Sequence, residues 1–113
     1  MTTHHLKFRA ENKDVFEAVR DGRKKIETRA ATEKFRDIKR GDAVRLVCGD
    51  DAFTKTVKNT ELFSSINALL EKYKPQDINP ACASVKDIRA MYHSFPNYKE
   101  KIEEYGLIAL ELE

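Results

Sequence analysis

Period-two alternation recurs in five places along the chain and apolar spacing of three to four in three. Leu6 and Phe8 share one face of a short strand. Val15, Phe16 and Val19 make a narrow helical stripe, so residues 12–21 read as an amphipathic helix, with Asn12 as its cap and Gly22 as its left-handed stop. From Lys25 to Ala30 the chain alternates, with Ile26 and Thr28 on one face and Lys25, Glu27 and Arg29 on the other. Residues 31–40 read as a polar loop anchored by Phe35 and Ile38. After the Gly41-Asp42 turn, Val44, Leu46 and Cys48 define a strand. Gly49-Asp50-Asp51 then turns the chain into a returning strand over 53–60. Phe63, Ile66, Leu69, Leu70 and Tyr73 have helical spacing, and Lys74-Pro75 ends that run. Residues 75–83 read as irregular. Ser84 opens a helix through Tyr92, a loop follows to Asn97, and a charged helix covers 98–104. Gly106 introduces a last strand, in which Ile108, Leu110 and Leu112 alternate with Ala109 and Glu111.

Helices and strands are segregated rather than strictly alternating, and the strands include a hairpin. The expected class is therefore α+β, with a closed or partly closed small barrel and helices outside it. At 113 residues the chain is one domain, 1–113, and too short for a doubly wound nucleotide fold with a second substrate domain. No apolar run approaches the roughly 20 residues of a membrane span, and residues 1–6 lack the form of a secretory signal. The expectation is a cytoplasmic protein with no membrane partner. Cys48 and Cys82 are far apart and expected to stay reduced, Cys48 in the core and Cys82 in a loop or at a helix edge. His4, His5 and His93 form no metal set, so neither a metal nor another cofactor is expected.

Net charge is +2, but residues 1–45 carry +5 and the remainder −3. Cations are densest from Arg20 to Arg40. Such a segment suits a polyanion through counterion release, or else is a solvated face paired with Asp21, Glu27, Glu33 and Asp37.

The segment Gly22-Arg23-Lys24-Lys25-Ile26-Glu27-Thr28-Arg29 reads G-x-K-x-x-E-x-R between a helix and a strand. With His5-Leu6-Lys7-Phe8 upstream, Ile38 to Val44 downstream and Tyr105 to Leu112 near the end, the chain resembles the ASCH family of the PUA-like superfamily. The resemblance implies a small PUA-like β-barrel with peripheral helices and a cleft where these residues meet the barrel mouth. It also implies RNA binding. Some family members are reported as ribonucleases, and one branch hydrolyses the acetyl amide of N4-acetylcytidine with a Lys, a Thr and a Glu. The Lys of that branch falls on Lys24. Its Thr position falls on Glu27, with Thr28 one residue later, and residues 74–80 offer Asp77 but no Glu. The chain therefore looks like the general ASCH type rather than the amidohydrolase branch.

The candidate ligand-binding residues are Lys7, Lys24, Glu27 and Arg29. Lys24, flanked by Arg23 and Lys25, either has a lowered pKa and serves as base or nucleophile, or is an exposed phosphate-binding charge. Glu27 and Arg29 share a strand face. They form an ion pair ordering the mouth, or Arg29 holds a phosphate or stacks on a base while Glu27 accepts from a base amino group. Tyr92, Phe95 and Tyr98 either stack on bases or plug the barrel end as core aromatics. The function expected is an RNA- or nucleotide-binding module with a basic cleft. The alternative is a metal-independent hydrolase, a ribonuclease or an amidohydrolase on a modified nucleoside, using Lys24 as its catalytic residue.

Overall fold

Each strand needs neighbours for its backbone N–H and C=O groups, and the computed structural model, which describes residues 2–113, arranges the five in one sheet in the order β1-β3-β4-β5-β2. The strands are β1 (Thr3–Phe8), β2 (Ile26–Ala30), β3 (Ala43–Cys48), β4 (Asp51–Phe63) and β5 (Leu107–Leu112). The helices are α1 (Lys13–Arg20), α2 (Ile66–Lys72), α3 (Pro75–Ile78), α4 (Val85–Ser94) and α5 (Tyr98–Tyr105). β1 pairs with β3 in parallel, and the other pairings are antiparallel.

The long strand β4 holds the sheet together. Its first half pairs with β3 and its second half with β5, with a register shift between Val57 and Asn59. A bulge of this kind bends the strand and increases its twist. The sheet curls into a half-barrel as a result, and its two edge strands, β1 and β2, come near each other: Arg29 Nη1 on β2 donates to the Lys7 carbonyl on β1 at 3.2 Å.

The core lies on both faces of the curled sheet. On one face Leu6, Val44, Leu46, Ile108 and Leu110 pack with Phe16 and Val19 of α1 and with the loop residue Ile38. On the other, Ile26, Leu107 and Ala109 pack against Leu69, Ile78, Ile88, Tyr92 and Ile102 from α2 to α5. β5 therefore faces a core on both sides, and both of its alternating sets are largely buried.

Several boundaries differ from the expectation. Leu62 and Phe63 end β4 rather than opening a helix, because Leu62 and Phe63 pair with Ile108 and Leu107. Helix α2 begins only after Ser65, whose Oγ accepts the Ala68 N–H at 3.1 Å. The stretch read as irregular contains α3, started by Pro75 and by Asp77 Oδ2 accepting the Lys74 N–H at 3.0 Å. Asn12 precedes α1, but its side chain caps nothing. It ends a 3₁₀ turn (Ala10–Asn12) at φ −106° and ψ 20°, outside the extended backbone from which such a side chain reaches back. Ser84 does cap α4, accepting from the Asp87 N–H at 3.2 Å.

Candidate functional site

Gly22, at φ +86°, turns the chain out of α1, and the Lys24 N–H then donates to the Ala18 carbonyl at 2.9 Å. This turn aims the Lys24 side chain inward rather than at solvent, leaving it 3% exposed. Its Nζ donates to the Ile26 carbonyl and stands 3.7 Å from Glu27 Oε1. Burial pushes the Lys24 amine below its ordinary value; the Glu27 carboxylate partly opposes the fall and the Arg29 guanidinium adds to it. The neighbouring cations are not the cause. Arg23 is exposed and paired with Asp21 at 2.9 Å, and Lys25 points to solvent. Lys24 is accordingly not the exposed point charge that one reading of the sequence expected.

Glu27 is 5% exposed and gathers its partners on one oxygen. Oε1 accepts the Thr28 N–H at 3.1 Å and lies 3.9 Å from Arg29 Nε. Arg29, on the same face, places its guanidinium 4.8 Å from the centre of the Phe8 ring as it reaches across to Lys7. On the opposite face of β2 the Thr28 hydroxyl shares a hydrogen bond with the Tyr92 hydroxyl. Burial raises the Tyr92 phenol well above its usual range, although the bond to Thr28 acts the other way.

These groups line a cavity of about 350 Å³ on the open side of the half-barrel, between β1 and β2 and under α4 and α5. The four sequence candidates, Lys7, Lys24, Glu27 and Arg29, all line it. They are joined by Arg9, Thr28 and Lys101, and by Phe8, Tyr92, Phe95 and Tyr98. Tyr92 is a buried core residue, while Phe95 and Tyr98 are half-buried walls, their rings meeting edge to face at 5.2 Å. The Tyr98 hydroxyl also accepts the Ala30 N–H on β2 at 3.3 Å, which fixes that wall to the edge strand.

Thr28 and Lys101 are not among the sequence candidates: Thr28 belongs to the strand face opposite Glu27 and Arg29, and Lys101 carries no sequence signal. Parity fails here because β2 is an edge strand: a cavity beside an edge is lined from both faces. Of the dense cationic run, only Lys24 and Arg29 line the cavity. Arg20, for example, is taken up by Asp51 and by the Phe16 and Phe53 rings. Among the described residues, no three His, Cys, Asp or Glu side chains form a metal-holding group. No described helix is long and apolar enough to cross a membrane.

No family model matches the sequence, and neither does any curated protein. Solved structures do match it along the whole chain. The crystal structure of hypothetical protein PH0355 superposes with a TM-score of 0.85 at 28% identity, over 99% of this chain and 98% of that one. The solution NMR structure of protein PF0455 from Pyrococcus furiosus gives 0.76 at 28% identity, over 99% and 96%. The whole fold, including the strands and helices around the cavity, is thus similar to two complete solved chains.

Proposed function

We propose that this chain is an RNA- or nucleotide-binding domain of ASCH type, with the half-barrel as a PUA-like scaffold and the cavity between β1 and β2 as its binding cleft. One observation carries the reading. A cavity of about 350 Å³ has five cations in its wall, Lys7, Arg9, Lys24, Arg29 and Lys101, against the single carboxylate of Glu27, together with four aromatic rings. That volume is at the small end of ligand sites, roughly 300–1,000 Å³. It admits one nucleotide and not a helix. The half-buried rings of Phe95 and Tyr98 offer surface for a base, and Lys7, Arg9 and Lys101, exposed at the mouth, offer charge for phosphates. The chain would act in the cytoplasm, where Cys48 and Cys82, both buried and free, stay reduced.

The test is fluorescence anisotropy of a labelled short single-stranded RNA, at low and moderate salt, for wild type and Arg29→Ala. Expected is saturable binding whose log K falls, per tenfold rise in salt, by about 0.7 for each phosphate held, roughly 2 for three cations at the mouth, and which weakens in the variant. Absence of binding at low salt would overturn the reading.

A second reading is supported by the buried Lys24 amine. Burial lowers the Lys24 pKa and so favours the neutral amine, the form that can accept a proton from water or a hydroxyl. The chain would then be a hydrolase acting on RNA or on a modified nucleoside. Turnover lost in Lys24→Met while RNA binding remains would favour it over the binding module.

A further inference from the structure

Glu27 is unequally used. Its Oε1 takes the Thr28 N–H and faces both Lys24 and Arg29, whereas its Oε2 has no donor among the described residues and is closed to solvent. The side chain is 7% exposed and lines the cavity wall. Three donors already surround Oε1, so the carboxylate is held in place. The last torsion of a glutamate is nonetheless soft, so a ligand that uses the second oxygen has to turn the carboxylate about that torsion to reach it. A buried acceptor without a donor costs free energy, which a donor on the ligand would return.

We infer that Glu27 Oε2 selects a ligand whose base carries an exocyclic amino group, as in adenine or cytosine, over a base with a carbonyl at that place. This rests on the nucleotide-binding reading and sharpens it. An amino group projects from the ring perimeter and can reach a single recessed oxygen. In hypoxanthine and uracil that atom is a carbonyl oxygen, which would stand against the carboxylate with no proton between them. The nearby Lys24 Nζ, 3.7 Å from Glu27 Oε1, gives the ring nitrogen beside the amino group a donor in the same corner. Lys24 and Glu27 together then read an amidine edge.

The probes are U-tract RNA pentamers with a central adenine, hypoxanthine, cytosine or uracil, and the pairs AMP with IMP and CMP with UMP, titrated at low salt. Within each pair only the amino-to-carbonyl change and its ring proton differ. Expected is about tenfold tighter binding of the amino member, a difference of about 1.4 kcal/mol. In Glu27→Gln, whose side-chain amide can donate to a carbonyl, the preference should flatten or reverse. Equal saturable binding within both pairs overturns the amino selection and leaves the nucleotide reading standing. Failure of every probe to bind overturns both. The wild-type pairs decide the matter even if the variant folds poorly.

Discussion

Lys24 sets the energetics of the cleft at the level of single residues. It is a buried amine beside a buried carboxylate, and removing one partner of such a pair leaves the other uncompensated. Lys24→Met should cost about 3 kcal/mol in urea unfolding, within the roughly 3–5 kcal/mol typical of broken buried pairs. The pH dependence follows from linkage. The folded amine titrates below 10.5, so from its folded pKa up to 10.5 the unfolded chain binds more protons. Stability contributed by this group therefore rises with pH across that window. Tyr73 and Tyr92, whose phenols are raised by burial, act oppositely at the alkaline end. The quantity to measure is the wild-type-minus-variant difference between pH 8 and pH 10, which should grow with pH. A flat difference would mean that Lys24 is solvated. None of this burial was legible in Arg23-Lys24-Lys25, where three consecutive cations look like a solvated run. The only hint was Gly22, whose left-handed turn redirects the side chain two residues on.

At the level of elements, periodicity located almost every strand and helix, because each buries one face. It misplaced the junction between β4 and α2, since Phe63 stands at helical spacing from Ile66 and Leu69 and only its pairing with Leu107 assigns it to the strand. It could not anticipate the parallel pairing of β1 with β3, which depends on contacts distant in sequence. Gly106 carries a stronger local requirement. It sits at φ +76° and ψ −163°, a region open essentially to glycine alone, and an added Cβ would lie 2.4 Å from the Phe63 carbonyl oxygen. Gly106→Ala should therefore cost about 1–3 kcal/mol, lowering Tm by roughly 10 °C. A thermal shift of only a degree or two would show that the α5–β5 turn can relax. Asp42 secures the other end of the sheet. It accepts from His4 Nε2 at 2.8 Å, from the Lys39 N–H at 3.1 Å and from the Thr2 N–H at 3.3 Å, binding β1 to the turn before β3. These bonds, led by that from His4, hold its carboxyl down to about 2. Its contribution is complete above the ordinary value of 3.8 and is lost as pH falls from there towards 2. Asp42→Asn should flatten the acid limb of the stability curve in that window and leave the neutral region's slope unchanged.

For the molecule as a whole, the cleft coincides with the place where the half-barrel does not close. β1 is bonded only to β3, and β2 only to β5. Across the gap run the Arg29 bond to the Lys7 carbonyl and the Arg29 contact with the Phe8 ring. Edges held by one side chain open more readily than paired strands, and local openings of this kind are read by amide exchange. Arg29→Ala should speed exchange in residues 3–8 and 26–30 together, while β3 and β5, paired on both sides, keep their protection. A ligand in the cavity touches both edges and the α4–α5 wall, so it should slow exchange in these same segments and around Tyr92 to Lys101. Hydrogen-exchange mass spectrometry with and without a short RNA, on both proteins, separates the two effects. If the variant changes exchange at β2 alone, the edges are independent, and Arg29 is a ligand-facing residue without a closing role. If both edges respond and the RNA restores them, one guanidinium links closure of the half-barrel to occupancy of its cleft.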